Sequence, residues 1–266
     1  MSNIHTAIII VNHNNEKSIV KLIDSIYRYE SLNNKKIIFV QNTQSKFISN
    51  YIRNFNDIIL IQNKIAKGFS ENVNSAINYA KEKFNIEYFL LLNPDIELKN
   101  KMLSTFVSFY KENDNIGIIA PKLFNDDGTI QYSCRRFYNV GYILIRMFRL
   151  GIFFGYRLED KILMKDFSHS KISDVDWVVG ACMFFSNSFI EKVGLFDDRN
   201  YFLYFEDQDI CLRSWRKNLR VIYYPDISCS HSNPRRGSSL MLSKHSIYQL
   251  KSAFNIFRKF NFNLKR

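Results

Sequence analysis

The chain has 266 residues, 46% of them hydrophobic and 23% charged, which excludes a disordered protein and allows a large domain with a substantial core. The net charge of +12 is unevenly placed, since residues 210–266 hold twelve Lys and Arg against one acid, Asp226. The four cysteines form no CxxC pair, which argues against a zinc or redox motif and predicts buried free thiols in a reducing compartment. The N-terminus lacks the features of a signal peptide, and we expect it to open on a buried strand.

The first hundred residues alternate between strand and helix patterns. Short apolar runs predict strands at 7–11, 36–40, 58–62 and 87–92. Apolar residues at helical spacing predict helices at 17–29 and about 70–84. This alternation predicts an α/β fold with a mostly parallel, doubly wound sheet.

Polar side chains follow three of the predicted strands. They are Asn12 and His13, Gln41 and Asn42, and Asn93 and Asp95. Ligands of such sheets bind outside the carboxyl ends of the strands, so a nucleotide is expected here. An aspartate at this edge can hold a divalent cation that neutralises a diphosphate, although Asn93-Pro94-Asp95 is also an ordinary turn after a strand.

The second half of the chain has a different pattern. Residues 139–156 are apolar but contain Arg146 and Arg149, each of which would cost roughly 2.5–3.5 kcal/mol in a membrane span. We therefore expect an interfacial amphipathic helix, a mobile acceptor-side loop or an ordinary packed helix. Beyond it, the pattern predicts strands at 177–185 and 220–224, a short helix at 189–193 that ends at Gly194, and an amphipathic helix at 243–260.

An acidic stretch, Glu206-Asp207-Gln208-Asp209, follows the aromatic run at 201–205. Three carboxylates among large apolar groups are costly to bury unless they are paired or functional. One of them could be the base that takes the proton from an attacking hydroxyl. The stretch could equally cap a helix at 210–217, where acids complement the helix dipole, and Asp209 could be only that cap.

The C-terminal region contains three further features. His231 could complete a metal site with Asp95, diphosphate oxygens and water, or could be structural. Arg235 and Arg236 could hold phosphate through paired hydrogen bonds, or form a solvated basic turn. Phenylalanines at 254, 257, 260 and 262 interrupt the basic block. The block therefore predicts an anionic partner, namely nucleic acid, anionic lipid or a phosphorylated substrate, more readily than a solubilising tail.

Six stretches occur in order along the chain: AIIIVNHNN, KGFSENVNSAI, LLNPDIEL, YSCRRF, VVGACMFF and KVGLFDDRNYFLYFEDQDICLR. In content and order they resemble the family-two inverting glycosyltransferases of GT-A fold. The nearest likeness is to the rhamnosyltransferase-like branch that builds bacterial O-antigen and capsule. The resemblance covers essentially the whole chain and is most specific between Gly194 and Arg213.

The resemblance implies a role for each matching position. Asp207 would be the catalytic base, and Asp95 with His231 would hold the implied cofactor, Mg²⁺ or Mn²⁺. The nucleotide-sugar donor would contact Asn12, Asn14, Gln41, Asn42, Gly68, Asn72, Asn93 and Asp95. The acceptor would contact Trp177, Gly180 and Glu206, and a diphosphate would contact Arg235 and Arg236.

The implied domain is a GT-A glycosyltransferase at 1–230, with a donor-binding half at 1–100 and an acceptor-binding, catalytic half at 101–230. A basic, aromatic helical segment follows at 231–266. The implied reaction moves a sugar from dTDP-rhamnose or a UDP-hexose to a polyprenyl-diphosphate-linked saccharide. It would take place at an anionic membrane, on the cytoplasmic face of the plasma membrane, with the protein peripherally bound, and the oligomeric state is left open.

Three positions depart from the family pattern. Asn93 replaces the first aspartate of the Asp-x-Asp motif, so a single carboxylate is left for the cation. Gln41 replaces an aspartate common in relatives, which leaves the choice between uridine and thymidine open. Tyr138 replaces a proline in the expected acceptor region. Two alternatives to an active enzyme are a catalytically silent scaffold of the same fold and a nucleic-acid-binding module, for which we find no known binding motif.

Overall fold

The structure is a computed structural model that describes residues 5–138, 141–142, 156–232 and 244–266. The strands of the first half are β1 (Thr6–Asn12), β2 (Lys35–Gln41), β3 (Ile58–Gln62), β4 (Tyr88–Leu92), β5 (Ile96–Leu98) and β6 (Ile116–Phe124). Those of the second half are β7 (Ile130–Gln131), β8 (Cys134–Arg135), β9 (Ser173–Asp174), β10 (Trp177–Val178), β11 (Cys182–Ser186) and β12 (Arg220–His231). The helices are α1 (Glu16–Tyr29), α2 (Lys46–Ile52), α3 (Phe69–Lys83), α4 (Leu103–Glu112), α5 (Tyr156–Ile162), α6 (Asn187–Val193), α7 (Glu206–Arg216) and α8 (Lys244–Lys259).

One mixed sheet organises these elements, with its strands in the order β3-β2-β1-β4-β11-β6-β12-β5. The first four strands of this order are mutually parallel. Strand β11 then runs antiparallel to both of its neighbours, β12 runs parallel to β6, and β5 runs antiparallel to β12. The predicted α/β fold with a mostly parallel sheet is confirmed.

Strands β1, β2 and β4 of the parallel half are largely buried on both faces, and the edge strand β3 is partly exposed. All seven residues of β1 are buried, and its alternate side chains enter two separate hydrophobic clusters, Ile8 and Ile10 in one and Ile9 and Val11 in the other. Helix α1 supplies Ile19, Leu22, Ile23 and Ile26 to the first cluster, and α3 supplies Val73, Ala76, Ile77 and Ala80 to the second. Strands covered in this way read as continuous apolar runs, which explains why the sequence predicted them closely.

Helix α4 and strand β6 were not predicted from the sequence. The first turn of α4 depends on the buried carboxylate of Glu30, whose Oε1 accepts hydrogen bonds from the N–H groups of Met102 at 2.6 Å and Leu103 at 2.9 Å. Such a cap comes from a distant segment and leaves no local pattern. Strand β6 contains Pro121, and proline inside an apolar run argues against a central strand because it lacks an N–H donor.

Two predicted strands differ from the observed ones. The strand predicted at 177–185 is divided, because β10 pairs with β8 in a separate small sheet, whereas β11 returns to the main sheet after a turn at Gly180–Ala181. The strand predicted at 220–224 continues past a register shift to His231. His231 is therefore the last residue of a strand. The predicted strand ended seven residues earlier, at Tyr224.

The remaining predictions about local features have mixed outcomes. All four cysteines are free and buried, as predicted. The short helix is confirmed as α6 and ends at Gly194, which has φ of +91°, and the last helix is confirmed as α8. The apolar stretch at 139–156 lies almost entirely outside the described residues. In the part of the chain that the structure describes, no helix is both long and apolar enough to cross a membrane.

Candidate functional site

The ends of β1 and β2 meet where the nucleotide was predicted. Asn12 and Gln41 are paired in register and fully buried, and Asn12 Nδ2 donates to Gln41 Oε1 at 2.9 Å. Gln41 Nε2 donates to the carbonyl of Thr43 at 2.7 Å, so both ends of its amide are engaged within the protein. The exposed Asn14 has φ of 61° and accepts from the Thr43 hydroxyl at 2.8 Å. Donor contacts by these residues stay a prediction.

A chain of amide hydrogen bonds shapes the loop between β3 and α3. Asn42 Oδ1 accepts from the backbone N–H of Lys67 at 2.8 Å and from Asn63 Nδ2 at 2.9 Å, and Asn42 Nδ2 donates to the Lys67 carbonyl at 2.9 Å. Asn63 also donates to Asn72 Oδ1 at 2.6 Å, and Asn72 Nδ2 donates to the Gly68 carbonyl at 2.8 Å. Asn42 and Asn72 therefore hold this loop in place, whatever they also contribute to donor binding.

Gly68 connects this loop to the second half of the chain. A Cβ atom at position 68 would lie 2.9 Å from the carbonyl oxygen of Phe202, closer than real Cβ contacts allow. The same carbonyl accepts a hydrogen bond from the N–H of Phe69 at 2.9 Å. Only glycine permits this close approach, which brings the N-terminus of α3 against the segment that precedes α7.

Asp95 and His231 lie close together where β5 pairs with the end of β12. The turn Asn93-Pro94-Asp95 follows β4, and the pairing of β5 with β12 places Ile96 opposite His231. Asp95 Oδ1 lies 3.3 Å from His231 Nε2, and the two side chains are 16% and 7% exposed. The structure thus brings the two predicted metal ligands together, and their metal role stays a prediction.

The chemistry of this pair fits a hard divalent cation whose ligand shell the substrate completes. A carboxylate oxygen, phosphate oxygens and water suit Mg²⁺ and Mn²⁺, and imidazole is an additional nitrogen ligand. Within the described ranges, no group of three or more His, Cys, Asp and Glu residues could hold a metal by itself. Asp95 and His231 would therefore need diphosphate oxygens to hold the ion tightly.

Asp207 lies in the first turn of α7 with its carboxylate held by two backbone N–H groups. Its Oδ2 accepts from Gly180 at 3.1 Å and its Oδ1 accepts from Gln208 at 2.8 Å. The two residues before α7, Tyr204 and Phe205, both have left-handed backbone conformations, with φ of 71° and 68°. Such conformations cost about 1–3 kcal/mol each in non-glycine residues and persist where the surrounding structure enforces them, often at functional sites.

The two adjacent carboxyl groups of this turn are perturbed by burial. Burial raises the pKa of Asp207, although the hydrogen bonds from Gly180 and Gln208 and the charge of Arg135 oppose the increase. Burial and the neighbouring Asp207 raise the pKa of Glu206 to about 8. Glu206 Oε2 also has no hydrogen-bond partner among the described residues. Glu206 therefore holds its proton at neutral pH and adds little charge beside Asp207.

Asp209 has a structural role that differs from both. Its fully buried carboxylate accepts from Arg213 Nε at 2.7 Å and from Lys259 Nζ of α8 at 2.6 Å. Arg213 additionally donates to the carbonyls of Val193 and Leu195. Asp209 is thus a paired charge that joins α7 to α8, so the interpretation of Asp209 as only a helix cap is incomplete.

Of the predicted acceptor residues, Gly180 contacts Asp207 and Glu206 precedes it in α7. Gly180 donates to Asp207, and a Cβ atom at position 180 would lie 3.5 Å from the Asp207 Cβ. Trp177 is only 3% exposed, and its indole N–H donates to the Arg136 carbonyl at 2.9 Å. Tyr138 contacts the Trp177 ring edge-on. Acceptor contacts by these residues stay a prediction, and Arg235 and Arg236 lie outside the described residues.

Arg135 was not among the residues predicted for the site, although it belongs to the stretch YSCRRF. The Arg135 guanidinium lies 5.2 Å from the Trp177 ring, donates to the Tyr138 hydroxyl at 3.1 Å and lowers the pKa of Asp207 through its charge. Arg135 also lines an open cavity of about 420 Å³ together with Gln131, a neighbour of His231.

A sequence profile described as glycosyl transferase family 2 matches residues 7–191. The chain belongs to this family. This family 2 glycosyltransferase is 31% identical to the rhamnosyltransferase WbbL of Escherichia coli (strain K12) over 252 residues. The aligned region covers 93% of the chain and 90% of WbbL. It is 24% identical to the low-salt glycan biosynthesis hexosyltransferase Agl10 of Haloferax volcanii over 228 residues. That aligned region covers 86% of the chain and 67% of Agl10.

Solved glycosyltransferase structures share the fold of this family 2 glycosyltransferase. The structure of GalNAc-T7 with UDP, GalNAc and Mn²⁺ superposes with a TM-score of 0.68 at 12% sequence identity. The superposition covers 97% of the chain and 49% of the GalNAc-T7 structure. The mannosyltransferase PcManGT of Pyrobaculum calidifontis with GDP-Man and Mn²⁺ has a TM-score of 0.61 at 14% identity, over 96% of the chain and 64% of that structure. At these identities the likeness shows the fold, and the predicted GT-A architecture is confirmed.

Proposed function

We propose that this glycosyltransferase transfers a sugar, with inversion, from dTDP-rhamnose or a UDP-hexose to a polyprenyl-diphosphate-linked saccharide in bacterial O-antigen or capsule synthesis. The observation that carries the proposal is the turn at Gly180–Ala181. The Ala181 carbonyl accepts from the N–H of Asn93, beside Asp95, and the Gly180 N–H donates to Asp207. One turn thus joins the proposed base to the strand end that carries the proposed cation ligand.

Asp207 acts as the general base in this proposal. Its two backbone hydrogen bonds orient the carboxylate, and burial raises its pKa, which makes it a better proton acceptor than an exposed aspartate. The neighbouring Glu206 is protonated at neutral pH, so it can donate a hydrogen bond to an acceptor hydroxyl. Arg135, which also lines an open cavity, stabilises the ionised form of Asp207 through its charge.

Asp95 and His231 would hold Mg²⁺ or Mn²⁺ together with the donor diphosphate. The bound ion would supply positive charge that stabilises the departing nucleoside diphosphate. The chain's own contribution is the fixed position of the two side chains, 3.3 Å apart and mostly buried. The Mn²⁺ in the structures of GalNAc-T7 and PcManGT supports this assignment by analogy of fold.

A donor panel tests the proposed reaction. The protein would be incubated with UDP- and dTDP-sugars, Mn²⁺ and a polyprenyl-diphosphate-linked saccharide, and release of free UDP or dTDP would be measured. We expect a single donor to be used much faster than the others, with a product of inverted anomeric configuration, and the likeness to the rhamnosyltransferase WbbL favours a rhamnose donor. Donor binding without turnover for every sugar would instead support a catalytically silent scaffold.

The proposal includes binding of the protein to an anionic membrane surface, which rests on the two faces of α8. Ala253, Ile256 and Phe257 are buried on one face. On the opposite side Ile247, Leu250 and Phe254 are 57%, 43% and 62% exposed. The spacing of three and four residues aligns them in one stripe together with the exposed Lys251 and Arg258. Exposed apolar groups flanked by cations on a helix without acidic residues fit an anionic bilayer surface.

The buried face of α8 connects this stripe to the catalytic region. Ser252 donates to the Leu203 carbonyl at 2.9 Å, and Asn255 donates to the Asn200 carbonyl at 2.8 Å, both in the segment before α7. A bilayer bound to the outer face would therefore lie near the segment that leads into α7, whose first turn carries the proposed base. This position suits an acceptor that is anchored in the bilayer by a polyprenyl chain.

We expect Phe254→Glu to weaken binding to anionic vesicles by about tenfold or more, because burial of a phenylalanine contributes about 1.5–3 kcal/mol. Co-sedimentation with phosphatidylglycerol vesicles at low salt measures this effect. The control is Phe47→Glu on α2, which changes another exposed phenylalanine, 53% accessible, and should bind as the wild type does.

Failure of the wild type to sediment at low salt would refute the membrane proposal, as would equal binding by both variants. A change of oligomeric state in Phe254→Glu without a change in vesicle binding would assign the stripe to a second copy of the chain.

A further inference from the structure

We propose that Gln131 is a positioning residue that sets the tautomer of His231, so that Nε2 presents a lone pair towards Asp95. His231 Nδ1 lies 2.7 Å from Gln131 Oε1, and His231 Nε2 lies 3.3 Å from Asp95 Oδ1. This inference rests on the proposed role of His231 as a metal ligand. Gln131 would explain why Nε2 of the His231 imidazole is unprotonated and available to a metal ion.

A neutral imidazole carries a single N–H, and two acceptors compete for it here. If Nε2 carried the proton, it would donate to Asp95 and could not bind a cation. If Nδ1 carries it, the short contact to Gln131 Oε1 is a hydrogen bond, and Nε2 is free. The orientation of the Gln131 amide decides between the two, because only its oxygen can accept from Nδ1–H.

Three further hydrogen bonds fix the orientation of that amide. Gln131 Nε2 donates to Asn125 Oδ1 at 3.2 Å, and Asn125 Nδ2 donates to Thr129 Oγ1 at 2.9 Å. The Thr129 hydroxyl donates to Asp127 Oδ1 at 2.5 Å. An ionised carboxylate can only accept, so the Thr129 proton must point to Asp127, which leaves the Thr129 oxygen to accept from Asn125.

The orientation of each hydrogen bond from Asp127 to His231 therefore follows from the one before it. Asn125 directs its NH₂ group to Thr129 and its oxygen to Gln131, and Gln131 then directs its oxygen to His231. The turn between β6 and β7 holds these groups in place, since the Asn125 N–H donates to the Thr129 carbonyl at 2.9 Å and Gly128 has φ of +79°. The sequence Asn125-Asp126-Asp127-Gly128-Thr129 thus positions a residue at the sheet edge.

The consequence is a site that is ordered before the cation arrives. An Nε2 lone pair and a carboxylate oxygen 3.3 Å apart are both electron-rich, and a shared cation stabilises such a pair. Hydrogen bonds from the remaining imidazole nitrogen to protein acceptors are the usual way in which ligand histidines are oriented. Loss of such a partner typically weakens metal binding by roughly 10–100-fold.

The test measures the tautomer directly in metal-free protein. With ¹⁵N-histidine labelling, at a pH where the imidazole is neutral and with His231→Gln to assign the signal, we expect the Nδ1–H tautomer in the wild type. Gln131→Leu, which keeps the size but removes the acceptor, should shift His231 to the Nε2–H tautomer. Gln131→Glu, which retains an acceptor for Nδ1–H, should restore the wild-type pattern. Thermal unfolding shows whether each variant is folded.

Mn²⁺ binding in the presence of UDP gives a second readout. We expect Gln131→Leu to weaken it roughly 10–100-fold and Gln131→Glu to stay within a few-fold of the wild type. An Nε2–H tautomer in the wild type, or an unchanged tautomer in folded Gln131→Leu, would overturn the inference. Because the tautomer is read without donor or metal, its failure is separate from a failure of sugar transfer. A correct tautomer with no turnover in the donor panel would count against the proposed function alone.

Discussion

Asp207→Asn is expected to lower the rate of sugar transfer by about 10²–10⁴-fold, the usual contribution of a general base. Asparagine has the shape of aspartate and can still accept the hydrogen bond from Gly180, although it loses the one from Gln208, so the N-terminal turn of α7 should keep most of its geometry. It cannot take a proton from the attacking hydroxyl. The measurement is kcat with the preferred donor, together with the Kd of the nucleoside diphosphate, which should not change.

The pH dependence gives a sharper form of the same expectation. Only ionised Asp207 is a base, and burial raises its pKa. The wild-type kcat/KM should therefore fall as the pH decreases through a value above the ordinary pKa of aspartate, and the residual activity of Asp207→Asn should lack this fall. A rate that is retained in Asp207→Asn, with the same pH profile, would remove the base assignment.

Asp209→Asn is the matched control, since it makes the same chemical change two residues away. Asp209 pairs with Arg213 and Lys259 and is fully buried, so the substitution leaves Arg213 without its charged partner, whereas Lys259 keeps its ion pair with Asp197 at 2.6 Å. We expect a loss of stability of roughly 3–5 kcal/mol, as for other broken buried pairs. The folded fraction should keep the wild-type pH profile, because Asp209 does not contact the proposed reaction centre.

Asp95→Ala is expected to reduce metal-stimulated transfer by about 10³-fold, which corresponds to about 4 kcal/mol of lost transition-state stabilisation. The substitution removes the only carboxylate of the Asp95–His231 pair, and imidazole alone is a poor site for Mg²⁺ or Mn²⁺. The measurement is activity of chelator-treated protein as Mn²⁺ is added back. The apparent affinity for Mn²⁺ should decrease in parallel.

Asp226→Ala provides the control for this experiment. Asp226 is an exposed acid of β12, the strand that ends at His231, and its removal should leave the Mn²⁺ titration unchanged. Full activity of the wild type in excess chelator would contradict the cation role of Asp95. So would an Asp95→Ala variant with the wild-type response to Mn²⁺.

Asp209 and Trp177 show how far sequence interpretation reached into the site. The acidic stretch was expected to contain a base or a helix cap, and the structure assigns different surroundings to each of its carboxylates. Asp209 pairs locally with Arg213 of the same helix, but the partners Gly180 of Asp207 and Lys259 of Asp209 lie in distant segments of the chain. Trp177 was expected to contact the acceptor, but whether a tryptophan is covered depends on neighbours such as Tyr138, which composition does not reveal.

The amino-acid sequence by itself determined the parallel half of the sheet, its covering helices and, through its motifs, the family. Strands buried on both faces and helices with one apolar face carry their signals in consecutive residues, and motif residues are likewise local. Only the tertiary structure decided that β12 pairs with β5 and so brings His231 to Asp95, and that a turn between β6 and β7 orients the same histidine through Gln131. The physical reason is that a hydrogen bond between distant segments depends on strand register and side-chain direction, which packing sets and local sequence does not encode.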